Sequence, residues 1–199
     1  MRLVAGSLGR HHARRLATCA RCAATLAGHA TLPTVQSCPL PEHALLAIYR
    51  ANGSFTDCYS IDVAGTVSHA QFVAAFYTTL VFRLERLILK WALSKPSTDE
   101  DARQLAAGTA DTFAAWTVEG RGVDQLLLCD VAGRTRSWLM VTPVVSGPGP
   151  ATRLYFGSAV VPHRNRRTGQ REMGTAFRAL LGFHKLYSRV LLRAAVGRL

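Results

Sequence analysis

Apolar residues recur every three or four positions along the last part of the chain. Met173, Phe177, Leu180, His184, Tyr187 and Leu191 fall on one face of a helix, and Arg171, Arg178, Lys185 and Arg189 on the opposite side. The pattern predicts one amphipathic helix over about 172–199. Upstream the period shortens to two. The runs 112–119, 124–131, 135–145 and 152–161 read as four strands, the first three joined by Gly-bearing connections of hairpin length. Strands this close, with no helix between them, predict an antiparallel meander.

Ahead of the meander the run 55–63 alternates as a strand, with Phe55, Tyr59, Ile61 and Val63 on its inward side. Ser68 and Gln71 stand in capping-box positions and open a helix over about 69–77. Thr78-Thr79 breaks it, because adjacent β-branched residues are poor helix formers. A second helix over 80–94 places Leu84, Leu87, Ile88 and Trp91 on one face, with Arg83, Arg86 and Lys90 on another. Lys95-Pro96 stops it. Ser97 and Glu100 read as a second capping box, opening a helix to about Ala107 with Asp99, Glu100 and Asp101 in its first turn. The segment 163–171 is polar and Arg-rich and reads as a loop. Strand, short helices, meander and long helix in that order predict an α+β fold, an antiparallel sheet wrapped on the C-terminal helix.

The chain has 199 residues, 49% hydrophobic and 18% charged, which supplies enough apolar surface for a buried core. No run reaches the roughly 18 apolar residues of a spanning helix. The net charge of +12 is unevenly placed: 1–41 carries +5, 163–199 carries +8, and 42–162 sums to −1. The acid-free first segment reads as a basic leader over 1–50: a transit-type targeting peptide, a weak twin-arginine signal at Arg14-Arg15, or a disordered or overextended start. The globular domain is placed at 51–199. The five cysteines (19, 22, 38, 58 and 129) are odd in number and irregularly spaced, so no disulfide framework is indicated. A reducing, cytoplasmic setting is the simplest reading. Cys129, inside an apolar run, reads as a buried small hydrophobe. Cys19-Ala-Arg-Cys22 lacks the second ligand pair that a zinc site needs, so no metal is assigned.

Three segments carry a family resemblance: Gly133-Arg-Thr-Arg-Ser-Trp-Leu-Met-Val141, Thr152-Arg-Leu-Tyr-Phe156 and Phe183-His-Lys-Leu-Tyr-Ser-Arg-Val-Leu-Leu-Arg193. Over about 54–197 the chain resembles the SRPBCC superfamily, also called START-like or helix-grip. More narrowly it is similar to a bacterial branch also found fused behind Rossmann-type oxidoreductase domains. The resemblance implies a cavity between the sheet and the long helix, commonly for an apolar or amphipathic ligand. It does not fix a function. The chain departs from the family outline in having four meander strands rather than five or more, which implies a smaller or more open cavity. The leader 1–41 has no family counterpart.

Candidate ligand-contacting residues are Trp116, Leu139, Tyr155, Phe177, His184 and Tyr187. His184 has two readings: a ligand contact or general acid–base, and a core histidine bonded to a strand residue, the second being favoured. In the strand holding Trp138, alternation puts Ser137, Leu139 and Val141 inside and leaves Trp138 and Met140 outside; a one-residue slip would swap the faces. Tyr155 shares a face with Arg153 and reads as a polar handle. Glu119, beside a turn, reads as solvated. No complete catalytic set, phosphate-cradling loop or cofactor motif is visible. The basic residues Arg83, Arg86, Lys90, Arg164, Arg166 and Arg167 offer an alternative role at an anionic membrane surface, with a solvated face as the plainer reading. Nucleic acid is disfavoured, because no recognition motif accompanies the charge. The leading expectation is a domain that binds an apolar or amphipathic small molecule or lipid, without a cofactor.

Overall fold

A computed structural model describes residues 34–84, 86, 96–146, 149–164, 171–172 and 175–199. In chain order the elements are β1 (Gln36–Ser37), α1 (Ala47–Ala51), β2 (Phe55–Ala64), α2 (His69–Tyr77), α3 (Asp99–Ala107), β3 (Thr112–Phe113), β4 (Trp116–Arg121), β5 (Gln125–Asp130), β6 (Thr135–Ser146), β7 (Gly149–Val160), β8 (His163–Arg164), β9 (Arg171–Glu172) and α4 (Thr175–Val196). A helical stretch at 80–84 follows α2. Seven strands form one antiparallel sheet in the order β1-β2-β7-β6-β5-β4-β3, and β8 pairs with β9. The architecture is α+β and helix-grip: α4 packs on the sheet at β2 and β7 and against α2. Because β2 pairs with β7, the last meander strand lies inside the sheet, and the chain reaches the helix after the β8–β9 pair.

Local chemistry sets the element ends. Ser68 Oγ accepts from the Gln71 backbone at 3.2 Å while Gln71 Oε1 accepts from the Ser68 N–H at 2.9 Å, a complete capping box. α2 stops at Tyr77. Thr78 Oγ1 then donates to Ala74 O, and Thr79 Oγ1 accepts from Phe82 N, so the Thr pair ends one helix and caps the next turn. The second capping box is displaced by one residue from the expected Ser97 frame. Thr98 is the cap and Asp101 its partner. The frame is fixed by Asp99, which pairs with both Arg83 and Arg86 from the preceding helical stretch.

Five meander strands are present, not four. The run 112–119 is split by a tight turn at Ala114, whose φ of 52° lies in the left-handed region. A bulge between Val118 and Gly120 then leaves Glu119 unpaired in the ladder and turns it toward Tyr49 and Arg136. α4 begins at Thr175, after β9 occupies 171–172, rather than at 172.

Both faces of the sheet are buried, on separate cores. On the α2/α4 face Ile61, Leu128, Leu139, Leu154 and Phe156 meet Phe72, Phe76, Tyr77, Leu105 and Leu192. On the other face Cys58, Leu127, Trp138, Met140 and Ala159 meet Leu40, Ala44 and Leu46. Trp138 and Met140 are therefore fully buried rather than outside. Their cover is the segment 38–49, which composition groups with the leader. Gln125 fastens that segment: its Oε1 accepts from Leu45 N at 2.9 Å and Trp138 Nε1 at 3.0 Å, and its Nε2 donates to His43 O at 3.1 Å. Two-sided burial explains why β5 reads Gln-Leu-Leu-Leu without alternation. Gly157 faces the core covered by residues 38–49. A Cβ there would lie 2.9 Å from Asp57 O and 3.0 Å from both Leu46 and Trp138 side-chain atoms.

Candidate ligand cavity

A cavity of about 400 Å³ lies between the sheet and α4, closed laterally by the end of α2 and the helical stretch after it. Its wall is chiefly apolar: Phe76 and Phe82 from one side, Trp116 and Phe156 from the sheet, Tyr187 and Leu191 from α4. Phe76 is the hub of the aromatic packing, 4.8 Å from Phe156 and 5.1 Å from Tyr77 between ring centres. The inward residues of β6 and β7 supply two polar positions, Ser137 and Ser158, while Arg136 borders the cavity but alternates to the face of Trp138 and Met140. Ser137 Oγ is already engaged with Tyr77 OH at 3.0 Å. Arg136 is held by Glu119 Oε2 at 2.7 Å and Tyr49 OH at 2.8 Å, with its guanidinium over the Tyr49 ring at 4.6 Å. Burial of Tyr49, with Glu119 beside it, pushes its phenol above the ordinary value, so the hydroxyl stays protonated.

His184 lies on the cavity wall, and its partners come from two strands. Ser158 Oγ is 2.8 Å from His184 Nε2 and 2.6 Å from Asp57 Oδ1, and Ser158 N also donates to Oδ1 at 3.1 Å. Asp57 Oδ2 lies 3.2 Å from the same His184 nitrogen, and its side chain is 8% exposed. An ionised carboxylate only accepts, so the serine proton is directed to Asp57 and the serine oxygen accepts from Nε2–H. That arrangement differs from a Ser-His-Asp triad, in which the imidazole takes the serine proton and the acid holds its other nitrogen. Here acid and serine meet one nitrogen. The set clamps α4 to β2 and β7 and leaves Ser158 without a base.

Of the six candidate contacts, Trp116, His184 and Tyr187 line this cavity. Leu139 is fully buried in the helix-side core behind the wall. Tyr155 belongs to the opposite face, 6.1 Å from Trp138 between ring centres, because the register places Leu154 and Phe156 inward. The Phe177 side chain lies outside the described residues. Phe76, Phe82 and Phe156 are the contacts that sequence reasoning passed over. Phe156 was legible from parity with Leu154; the other two lie on helices whose inward face only the packing reveals.

Two side chains of the basic set, Arg83 and Arg86, are among the described residues. Arg86 is 8% exposed and, with Arg83, is neutralised by Asp99. Burial opposes ionisation of Asp99, but hydrogen bonds from Arg86 and Arg83 outweigh it and hold the carboxyl below its ordinary value. Lys90, Arg166, Arg167 and the Arg164 side chain lie outside the described residues, as do Cys19 and Cys22. Cys129 is half-buried rather than buried, its thiol 3.3 Å from Asp130 O. Among the described residues no helix is long and apolar enough to cross a membrane. No family model, curated protein or solved structure matches the chain.

Proposed function

We propose that the protein binds an apolar or amphipathic small molecule, such as a lipid, in the cavity between the sheet and α4. The observation that carries this reading is the cavity itself, about 400 Å³ and walled mainly by aromatic and aliphatic side chains. Small-molecule sites commonly span about 300–1,000 Å³ and combine an apolar lining with a few oriented polar groups. Transfer of a methylene from water into such a wall contributes about 0.8 kcal/mol. The inward hydroxyls of Ser137 and Ser158 along one side suit a ligand with one polar end. The SRPBCC-like character of residues 133–141, 152–156 and 183–193 supports the same reading.

Native mass spectrometry of freshly purified protein, followed by a thermal-shift panel of fatty acids, phospholipids and sterols, tests it. The reading expects a co-purifying apolar species or a rise in melting temperature with at least one class. Neither effect from any class would count against it.

A further inference from the structure

A second recess, about 360 Å³, lies where β1 and β2 meet α4. Its lining includes Cys38, Cys58, Arg50, Lys185 and Arg189, with Asp57 the one acid. The two sulfurs are 3.4 Å apart. Their placement follows from the strand register. Gln36 opposes Ser60 and Ser37 opposes Tyr59, so the next rung brings Cys38 opposite Cys58, and Cys38 N donates to Cys58 O at 3.0 Å. Hydrogen-bonded antiparallel partners have Cα atoms about 5.5 Å apart, the commonest spacing in disulfides, whose sulfurs are about 2.05 Å apart. A disulfide can therefore close through side-chain rotation.

We propose that Cys38 and Cys58 are a reversible dithiol–disulfide pair, oxidised by a small anionic disulfide of the glutathione type that docks among Arg50, Lys185 and Arg189. The two thiols have different roles. Once Cys38 ionises, the Cys58 thiol donates to it; together with the Ser60 hydroxyl and the charge of Arg153 this outweighs burial and brings Cys38 down to about 6. Cys58, 3% exposed, is pushed up by that same hydrogen bond and by burial. Cys38 is thus the attacking thiolate and Cys58 the resolving thiol. The Cys38 thiolate attacks one sulfur of the oxidised glutathione; a Cys38–glutathione bond forms, the glutathione S–S bond breaks, and one glutathione thiolate leaves. Cys58 then gives its proton to solvent and attacks Cys38 Sγ, expelling the second thiolate. The protein dithiol loses two electrons, and one glutathione disulfide becomes two thiols. The bond would tie the edge strand β1 to β2, one residue from Asp57 in the His184 clamp.

The test uses the full chain with Cys22→Ser, so that the tryptic peptide ending at Arg50 carries Cys38 alone and the next, 51–83, carries Cys58 alone. After incubation with oxidised glutathione, blocking of free thiols and digestion, the two peptides should appear linked and should separate again with reduced glutathione. The added Cys58→Ser change should leave glutathione trapped on Cys38. Lys185→Ala with Arg189→Ala should slow oxidation by glutathione disulfide by on the order of tenfold and leave oxidation by neutral hydroxyethyl disulfide unchanged. Stable glutathione on Cys38 with Cys58 free, or no modification at either thiol, overturns the pair. An equal slowing with the neutral disulfide overturns the docking step.

Discussion

Ser158 Oγ and His184 Nε2 are 2.8 Å apart, and this contact joins the C-terminal end of β7 to the cavity-facing side of α4. The serine proton is committed to Asp57, so the contact is a clamp. Groups in one hydrogen-bond network couple by about 0.5–3 kcal/mol. A double-mutant cycle with Ser158→Ala and His184→Ala, read by urea unfolding, should give a favourable coupling in that range. Additive effects would show that the two side chains do not act together.

Gly157 is required by space. Any Cβ there meets backbone and two packed side chains at 3.0 Å or less. Both side chains belong to the core covered by residues 38–49, and the third contact is strand backbone that cannot swing aside. Gly157→Ala should destabilise the protein by about 1–3 kcal/mol, while Gly149→Ala, where nothing lies within reach, should be far milder. Equal effects at the two glycines would contradict the close approach.

Gln125 joins the segment 38–49 to the sheet through three hydrogen bonds. Gln125→Leu removes them and strands Trp138 Nε1 and Leu45 N away from water. The expected cost is roughly 1–3 kcal/mol per group left unsatisfied. Limited proteolysis should then cut within 38–54 faster than in the wild type. An unchanged cleavage pattern would mean that apolar packing alone holds the segment.

His69 links stability to pH. Burial holds its imidazole below the ordinary value of 6.5, against a hydrogen bond to the Leu139 backbone and the charge of Asp124. The unfolded chain therefore binds this proton more tightly than the folded one. Its contribution is complete above about pH 6.5 and is lost as pH falls through that value toward the depressed one. The urea midpoint should drop between about pH 7 and 5 in the wild type, and His69→Gln should flatten the curve there. Parallel curves would exclude His69 as the source.

The α+β order, the capping box at Ser68 and the long terminal helix were legible because each has a local signature. What escaped sequence reading depends on groups far apart in the chain. Trp138 reads as exposed until residues 38–49 are seen to cover it, and those residues look like leader because their apolar positions have no helical or strand period. Ala114 splits a strand without a Gly or Pro to mark it. Arg83 and Arg86 read as a basic stripe because Asp99, which neutralises both, is 13 and more residues away. For the site, Trp116, His184 and Tyr187 were within reach of periodicity. Asp57 and Ser158 were not, since one acid and one serine on separate strands gain meaning only from the β2–β7 register.

The cavity claim is tested most directly at Trp116, which lines it, against Trp138, which lies in the opposite core. In a Trp91→Phe background, a brominated medium-chain fatty acid should quench tryptophan fluorescence saturably. Adding Trp116→Phe should abolish most of that quenching, with the Trp138 emission spared. Quenching that survives unchanged without Trp116, or none at all in its presence, would contradict a ligand seated between the sheet and α4.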